Sequence, residues 1–480
     1  MRMISVKNTV CMAMMLCMAT AITSPAQTFT SLASFDGSNG DAVFTPVVQG
    51  INGNLYGVTD IGGANDSGVV FELTPSGNLT TLYSFCSERD CADGQAAVGG
   101  LVQSADGNLY GTTFYGGANN VGTVFKITPA GQLTTLYNFC SQPNCADGSY
   151  PHTAMIEAGL GTFYGVTEEG GNANVGTIFE ITSAGKFTTL YSFCTLSGCA
   201  DGEYPMGSLA LASNGSLFGT TSFGGGTNEG GTIFQLSSAG QFKILHTFCI
   251  QSGCPDGQDS LAGLTQANNG NFYGTTSAGG AENTGAVFEI TPTGNFTLLH
   301  SFCGRIDCLD GSHPYASLVA ANGNLYGTTW AGGSNDQGTI FSINLKGALD
   351  TLYNFCAQAN CVDGSDPYAS LLQATDGIFY GTTSSGGSAR AGTVFSLSNG
   401  LTPFIATLPA QGRVGGRVLI LGNNLTGTTS VAFNGTPAAF YVDSETEITA
   451  KVPNGATTGT IEVTTPTGTL SSTRLFRVIE

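Results

Sequence analysis

The sequence of 480 residues predicts an all-β fold: a seven-bladed β-propeller closed by an N-terminal strand, followed by a small β-sandwich. Three observations predict it. A motif of the form (N/S)(L/F)(Y/F)G, or a close variant, ends on glycine at Gly57, Gly111, Gly165, Gly219, Gly274, Gly327 and Gly381, at spacings of 54, 54, 54, 55, 53 and 54 residues. Each unit divides into four short apolar runs separated by tight-turn sequences, the pattern of a four-stranded antiparallel meander repeated in tandem. The fourth run occurs between units but is missing after the seventh, and a segment like it stands near the N-terminus.

Residues 1–26 carry a basic start (Arg2, Lys7), an apolar stretch from Val10 to about Ile22, and small residues at Ser24 and Ala26. This is the pattern of a secretory signal peptide cleaved after Ala26. No later segment offers the roughly 18 uninterrupted apolar residues that a membrane-spanning helix needs. The expected location is therefore secreted: extracellular, periplasmic or cell-surface.

Residues 27–401 hold the repeats. In the sixth unit, HPYASLVAA from His313, GNLYGTTW, GTIFSIN and ALDTLYNF read as strand positions A, B, C and D. An Asn-Gly or Asp-Gly pair (Asn322-Gly323, Asp106-Gly107) joins A to B, and a Pro-x-Gly turn such as Pro129-Ala130-Gly131 joins C to D. Both favour tight antiparallel reversals. The N-terminal TFTSLASFDG, Thr28 to Gly37, resembles the D endings, so it is expected to complete the last blade and leave no open edge. A β-helix, the other long repeat architecture, has parallel rungs and no need of these hairpins. The repeated glycines are expected to permit close approach between strands.

From Thr402 the composition changes, and Pro403, Gly415, Gly416, Val418, Ile420, Gly422, Val431, Phe433, Gly435, Ala438, Val452, Pro453, Gly459, Val463, Gly468, Phe476 and Val478 stand in a regular pattern. Residues 402–480 thereby resemble an IPT/TIG domain, which implies an immunoglobulin-like β-sandwich. The consensus of the repeats, GNLYGTT..GG....GTVF.ITP.G..TTLY.F, resembles the GloVer tandem repeat of secreted bacterial proteins. That resemblance implies a bacterial secreted protein and no particular chemistry.

With 14 Lys+Arg against 33 Asp+Glu the formal net charge is −19 at pH 7. Such a surface repels nucleic acid. Six of the D-to-A connections hold a pair of cysteines five positions apart: Cys86 and Cys91, Cys140 and Cys145, Cys194 and Cys199, Cys249 and Cys254, Cys303 and Cys308, Cys356 and Cys361. The spacing is not that of a thiol-exchange motif, and one pair lacks the four ligands of a structural zinc site. In an oxidising compartment these read as six local disulfides. The Asp-Gly after each pair (Asp93, Asp147, Asp201, Asp256, Asp310, Asp363) offers one carboxylate per loop, far short of a calcium site, so a turn-capping role is expected. No metal and no cofactor is expected. His246 and His300 occupy the place of Tyr83, Tyr137, Tyr191 and Tyr353 and are expected to be structural.

The D-to-A and B-to-C loops should share one face of the ring, and they are the longer connections, so this face is the expected binding surface. The most variable pair follows strand B: Asp60-Ile61, Phe114-Tyr115, Glu168-Glu169, Ser222-Phe223, Ser277-Ala278, Trp330-Ala331 and Ser384-Ser385. Phe114, Tyr115, Glu168, Glu169, Phe223 and Trp330 are the candidate ligand-binding residues, because aromatic faces and carboxylates together hold a sugar ring. No catalytic residue is assigned. The expected function is a secreted, non-catalytic binding or scaffold protein whose partner is an extracellular carbohydrate, an envelope component or a cell-surface protein. The alternative is a polysaccharide-degrading propeller enzyme, a glycosidase or lyase, drawing its carboxylates from Asp60, Glu168, Glu169 and Glu203.

Overall fold

The computed structural model describes residues 27–159 and 161–479; the predicted signal peptide lies outside them. In the first unit, β2 (Val48–Gln49), β3 (Leu55–Val58), β4 (Val69–Leu73) and β5 (Leu79–Ser84) form one antiparallel sheet in chain order. Five further sheets repeat this arrangement. The seventh takes three strands from Leu372–Gln373, Phe379–Thr383 and Thr393–Ser398, and its outer strand is β1 (Thr28–Ser34) at the other end of the chain. There Thr30 stands opposite Ser396 and Phe29 opposite Leu397. The N-terminal segment thus fills the fourth position that the last repeat lacks.

The second strand is buried on both faces in most units, with Tyr164 of the third partly exposed, which explains its near-continuous apolar reading. Alternate side chains serve opposite neighbours. Leu109 packs with Phe125 and Ile127 against Tyr56 and Phe85 of the preceding unit, whereas Tyr110 packs against Phe163 and Phe179 of the following one. Each of seven apolar clusters joins two adjacent sheets, and one of them joins the first unit (Val43, Leu55, Phe71) to the seventh (Tyr380, Val394).

The recurrent glycine has a defined job. Gly327 pairs across the sheet with Phe341, whose ring lies over it; a Cβ there would stand 2.7 Å from the ring tip. The same pairing recurs in every unit, from Gly57 with Phe71 to Gly381 with Phe395. A bare backbone at B lets the C-strand phenylalanine fold down into the sheet.

Residues 406–479 form two more four-stranded sheets and a parallel pairing of Gln411–Arg413 with Arg477–Ile479. Their own core contains Val418, Ile420, Val431, Phe433, Ile448, Val463 and Phe476. This unit docks on the A-to-B turns. The Thr446 hydroxyl donates to the Ile51 carbonyl at 3.0 Å, Asn423 donates to Thr375 at 2.7 Å, and Gln411 donates to the Ala158 carbonyl. These turns belong to the first, seventh and third units, so the C-terminal unit reaches from one side of the repeat array to the other. No helix among the described residues is long and apolar enough to cross a membrane.

Candidate ligand-binding site

The site begins at the cysteine segments. All six predicted pairs are bonded. The Asp that follows each pair serves its own loop and is fully buried in every case but Asp256. Asp147 accepts hydrogen bonds from the Tyr137 hydroxyl at 2.6 Å, the Ser141 amide at 2.9 Å and the Gln142 amide at 3.1 Å. His246 and His300 take the tyrosine's part, each with a ring nitrogen 2.9 Å from Asp256 or Asp310. For Asp201 burial opposes ionisation, yet the Thr195 and Leu196 amides and the Tyr191 hydroxyl hold its pKa below the ordinary value. Five of these carboxylates are engaged within their loops; Asp310 meets His300 alone, and its Oδ1 is buried without a hydrogen-bond partner among the described residues. Cys194, Cys199 and Glu203 lie close together, but the sulfurs are bonded to each other and present no thiolate to a metal.

Beyond each Asp-Gly the chain runs inward. Its first residue makes a backbone bridge to the B-to-C loop of the same unit: Gln95 with Tyr115, Ser149 with Glu169, Glu203 with Phe223, Ser312 with Ala331. The two loop families therefore lie side by side, as expected. The next residue is left-handed in every unit without being glycine: Ala42, Ala96, Tyr150, Tyr204, Asp259, His313 and Asp366 have φ between 52 and 56°. Backbone strain repeated at one register on a loop face is a mark of functional surfaces.

This turn explains a difference from the expected strands. Position A in the sixth unit is confined to Val319–Ala321, and His313 to Leu318 is not strand. Left-handed His313 and donor-less Pro314 cannot enter a ladder, and the segment instead lines a cavity. Equivalent segments of all seven units meet there. The cavity has a volume of about 340 Å³, and its wall includes Phe44, Val98, His152, Met206, Leu261, Tyr315 and Tyr368, one residue at the same register from each unit. The wall is anchored from behind: the B-strand hydroxyls of Thr220, Thr275 and Thr328 donate to the carbonyls of Ala262, Ala316 and Ala369 in the next unit. The same bond runs from Thr382 of the seventh unit to Thr45 of the first at 2.9 Å.

One side of the cavity is aromatic. Phe44 meets Tyr368 edge-on at 5.4 Å, Tyr368 stacks on Tyr315 at 4.6 Å, and Tyr315 meets Trp330 at 5.9 Å. Asp60 joins the wall beside Phe44; burial raises its pKa above the ordinary carboxylate value. Burial also raises Glu168, with the neighbouring Glu169 adding to it. Burial, the Tyr315 hydroxyl and the Glu168 carboxylate together push the Tyr368 phenol up to about 12. On the other side, burial pushes His152 down to about 4, so its imidazole is neutral at pH 7.

None of the six residues singled out from the sequence lines the cavity itself; they stand just outside it. Phe114 lies 5.7 Å from His152 and, with Tyr115, forms an aromatic group around Tyr150. Phe223 touches Tyr204 edge-on at 6.0 Å, and Trp330 meets His313 and Tyr315. Tyr115, Phe223 and Trp330 are exposed, at 42%, 43% and 39%. The inner ring is hidden in the sequence because its apolar residues read as the start of strand A. A signal is present, since its members stand five residues after the loop Asp, or after Asn39 in the first unit, and vary between Phe, Val, His, Met, Leu and Tyr.

The molecule is thus an all-β tandem-repeat protein with one pocket built from equivalent positions of its repeats. The chain belongs to the Gloeobacter/Verrucomicrobia repeat family, whose model matches in four overlapping stretches, residues 19–230, 84–268, 141–310 and 305–464. No curated protein matches it. Among solved structures it is similar to a candidate gluconolactonase (TM-score 0.37, 10% identity, covering 79% of this chain and 94% of that one). It is also similar to a luciferin-regenerating enzyme (0.38, 14%, 62% and 89%) and to a candidate glucose dehydrogenase-type oxidoreductase of Thermus thermophilus (0.37, 13%, 78% and 100%). Likeness this loose supports no conclusion about activity.

Proposed function

We propose that the chain is a secreted, non-catalytic binding protein: a seven-bladed β-propeller closed by its N-terminal strand, carrying a C-terminal immunoglobulin-like domain of IPT/TIG type, that recognises an extracellular glycan on its loop face. The observation that carries this reading is the inner ring, where one register holds Phe44, Val98, His152, Met206, Leu261, Tyr315 and Tyr368 on an otherwise repeated frame. Varied side chains on a constant scaffold are how repeat proteins acquire a specific surface. Six disulfides fit an oxidising compartment. Docking on the A-to-B turns leaves the loop face as the accessible one.

The test is binding of the purified protein to immobilised polysaccharides and cell-envelope glycans, with Tyr368→Ala, Trp330→Ala and Phe114→Ala as variants. Loss of a stacking aromatic should weaken binding about tenfold or more. Binding that all three variants leave intact would contradict the site. The carboxyl groups of Asp60 and Glu168, both raised by burial, favour one second reading, a polysaccharide-cleaving enzyme, since a raised carboxyl pKa is a feature of general acids in such enzymes. In that case new reducing or unsaturated ends accumulate with the unaltered protein and disappear with Asp60→Asn or Glu168→Gln.

A further inference from the structure

We infer that the cavity selects a sugar carrying a free, protonated amine over its neutral or N-acylated counterparts. This deepens the glycan-binding reading and rests on it. The argument starts from Asp60. It is half-buried in the cavity wall, and among the described residues its carboxylate accepts no hydrogen bond and has no ion-pair partner. The Glu168 carboxylate, on a half-buried residue, likewise has no hydrogen-bond or ion-pair partner among the described residues. The cavity wall contains no lysine or arginine, and its one histidine, His152, is held neutral by burial.

A neutral sugar entering this space would strip water from the Asp60 carboxylate and return hydroxyl hydrogen bonds that leave its charge uncompensated. An ammonium group returns a hydrogen bond and the opposite charge together. The wall next to Asp60 adds to the preference. Phe44, Tyr315 and Tyr368 lie in the same wall, and aromatic rings both attract a cation and stack on the apolar face of a pyranose. At about 340 Å³ the cavity is in the range of small-ligand sites. Carboxylate, aromatic wall and absence of a resident cation in one lining define the chemistry of an amino sugar.

The experiment is calorimetric titration of the purified protein with three tetrasaccharides: β-1,4-linked glucosamine, its fully N-acetylated form and the glucose counterpart. The glucosamine tetramer should bind about tenfold or more tightly than either of the others, since a charged hydrogen bond is at stake. Its affinity should fall as salt is raised, and Asp60→Asn should remove most of the preference. Equal or tighter binding of the N-acetylated tetramer, or a preference unchanged in both Asp60→Asn and high salt, overturns the amine assignment while the glycan reading stands. Binding of none of the three, with the protein folded by circular dichroism, overturns both.

Discussion

At the residue scale, the inner ring explains more than the sequence-derived rim. Variable pairs after strand B are legible because they sit between two constant features, the G(T/V)T of strand B and Gly-Gly. In the sequence His152 is a histidine beside Pro151. The structure gives it a role that makes a prediction. Burial lowers its pKa from 6.5 to about 4, so the folded protein binds fewer protons than the unfolded chain between those values. The neutral imidazole's contribution is fully present above pH 6.5 and lost as pH falls towards 4. His152→Leu, the residue found at the same register as Leu261, should therefore make urea-denaturation stability less sensitive to acid over that window. An unchanged difference in stability between about pH 7 and about pH 4.5 would show that burial of His152 does not govern this titration.

At the scale of the elements, the four-strand unit was almost wholly readable. Hairpin turns placed the strands, and the glycine in strand B announced a close approach. What no pattern announced was its partner: Phe341 lies over Gly327 because the two face each other across the sheet, a contact set by register. Gly327→Ala places a methyl group against that ring and should cost about 1–3 kcal/mol of unfolding free energy by overpacking. Asp147→Ala should cost about 1–3 kcal/mol as well, because two amides and a hydroxyl lose a buried acceptor. Denaturant titrations measure both. Position A misled for a physical reason: its first half is apolar like a strand, but the left-handed residue and the proline turn it along the cavity wall. The apolar side chains that suggested a strand core there face a pocket.

At the scale of the whole molecule, closure was legible from counting: one D-like segment at the wrong end of the chain. The structure adds how it is held. Phe29 stacks on Tyr353 at 3.8 Å and lies 5.3 Å from Phe395, so the first strand is keyed into the interface of the sixth and seventh units. If the array is a closed ring, weakening this joint weakens all of it. Phe29→Ala should lower the melting temperature of the main calorimetric transition without splitting it; fraying of one end with the main transition unmoved would mark an open array. The docking of the C-terminal unit was not legible. Two of its three bonds go to the main-chain carbonyls of Ile51 and Ala158, which any sequence could offer, and the third to the Thr375 hydroxyl.

The proposed ligand site is one pocket, lined by segments from all seven units. The chain supplies its own reporter, because its single tryptophan, Trp330, stands at the edge of the aromatic wall. Titration of an oligosaccharide that the protein binds should produce a saturable change in tryptophan emission, with a midpoint that agrees with calorimetry. Tyr368→Ala, one repeat away from the reporter, should abolish that change. Calorimetric binding with flat emission, or an emission change that survives Tyr368→Ala, would place the ligand elsewhere and contradict the account.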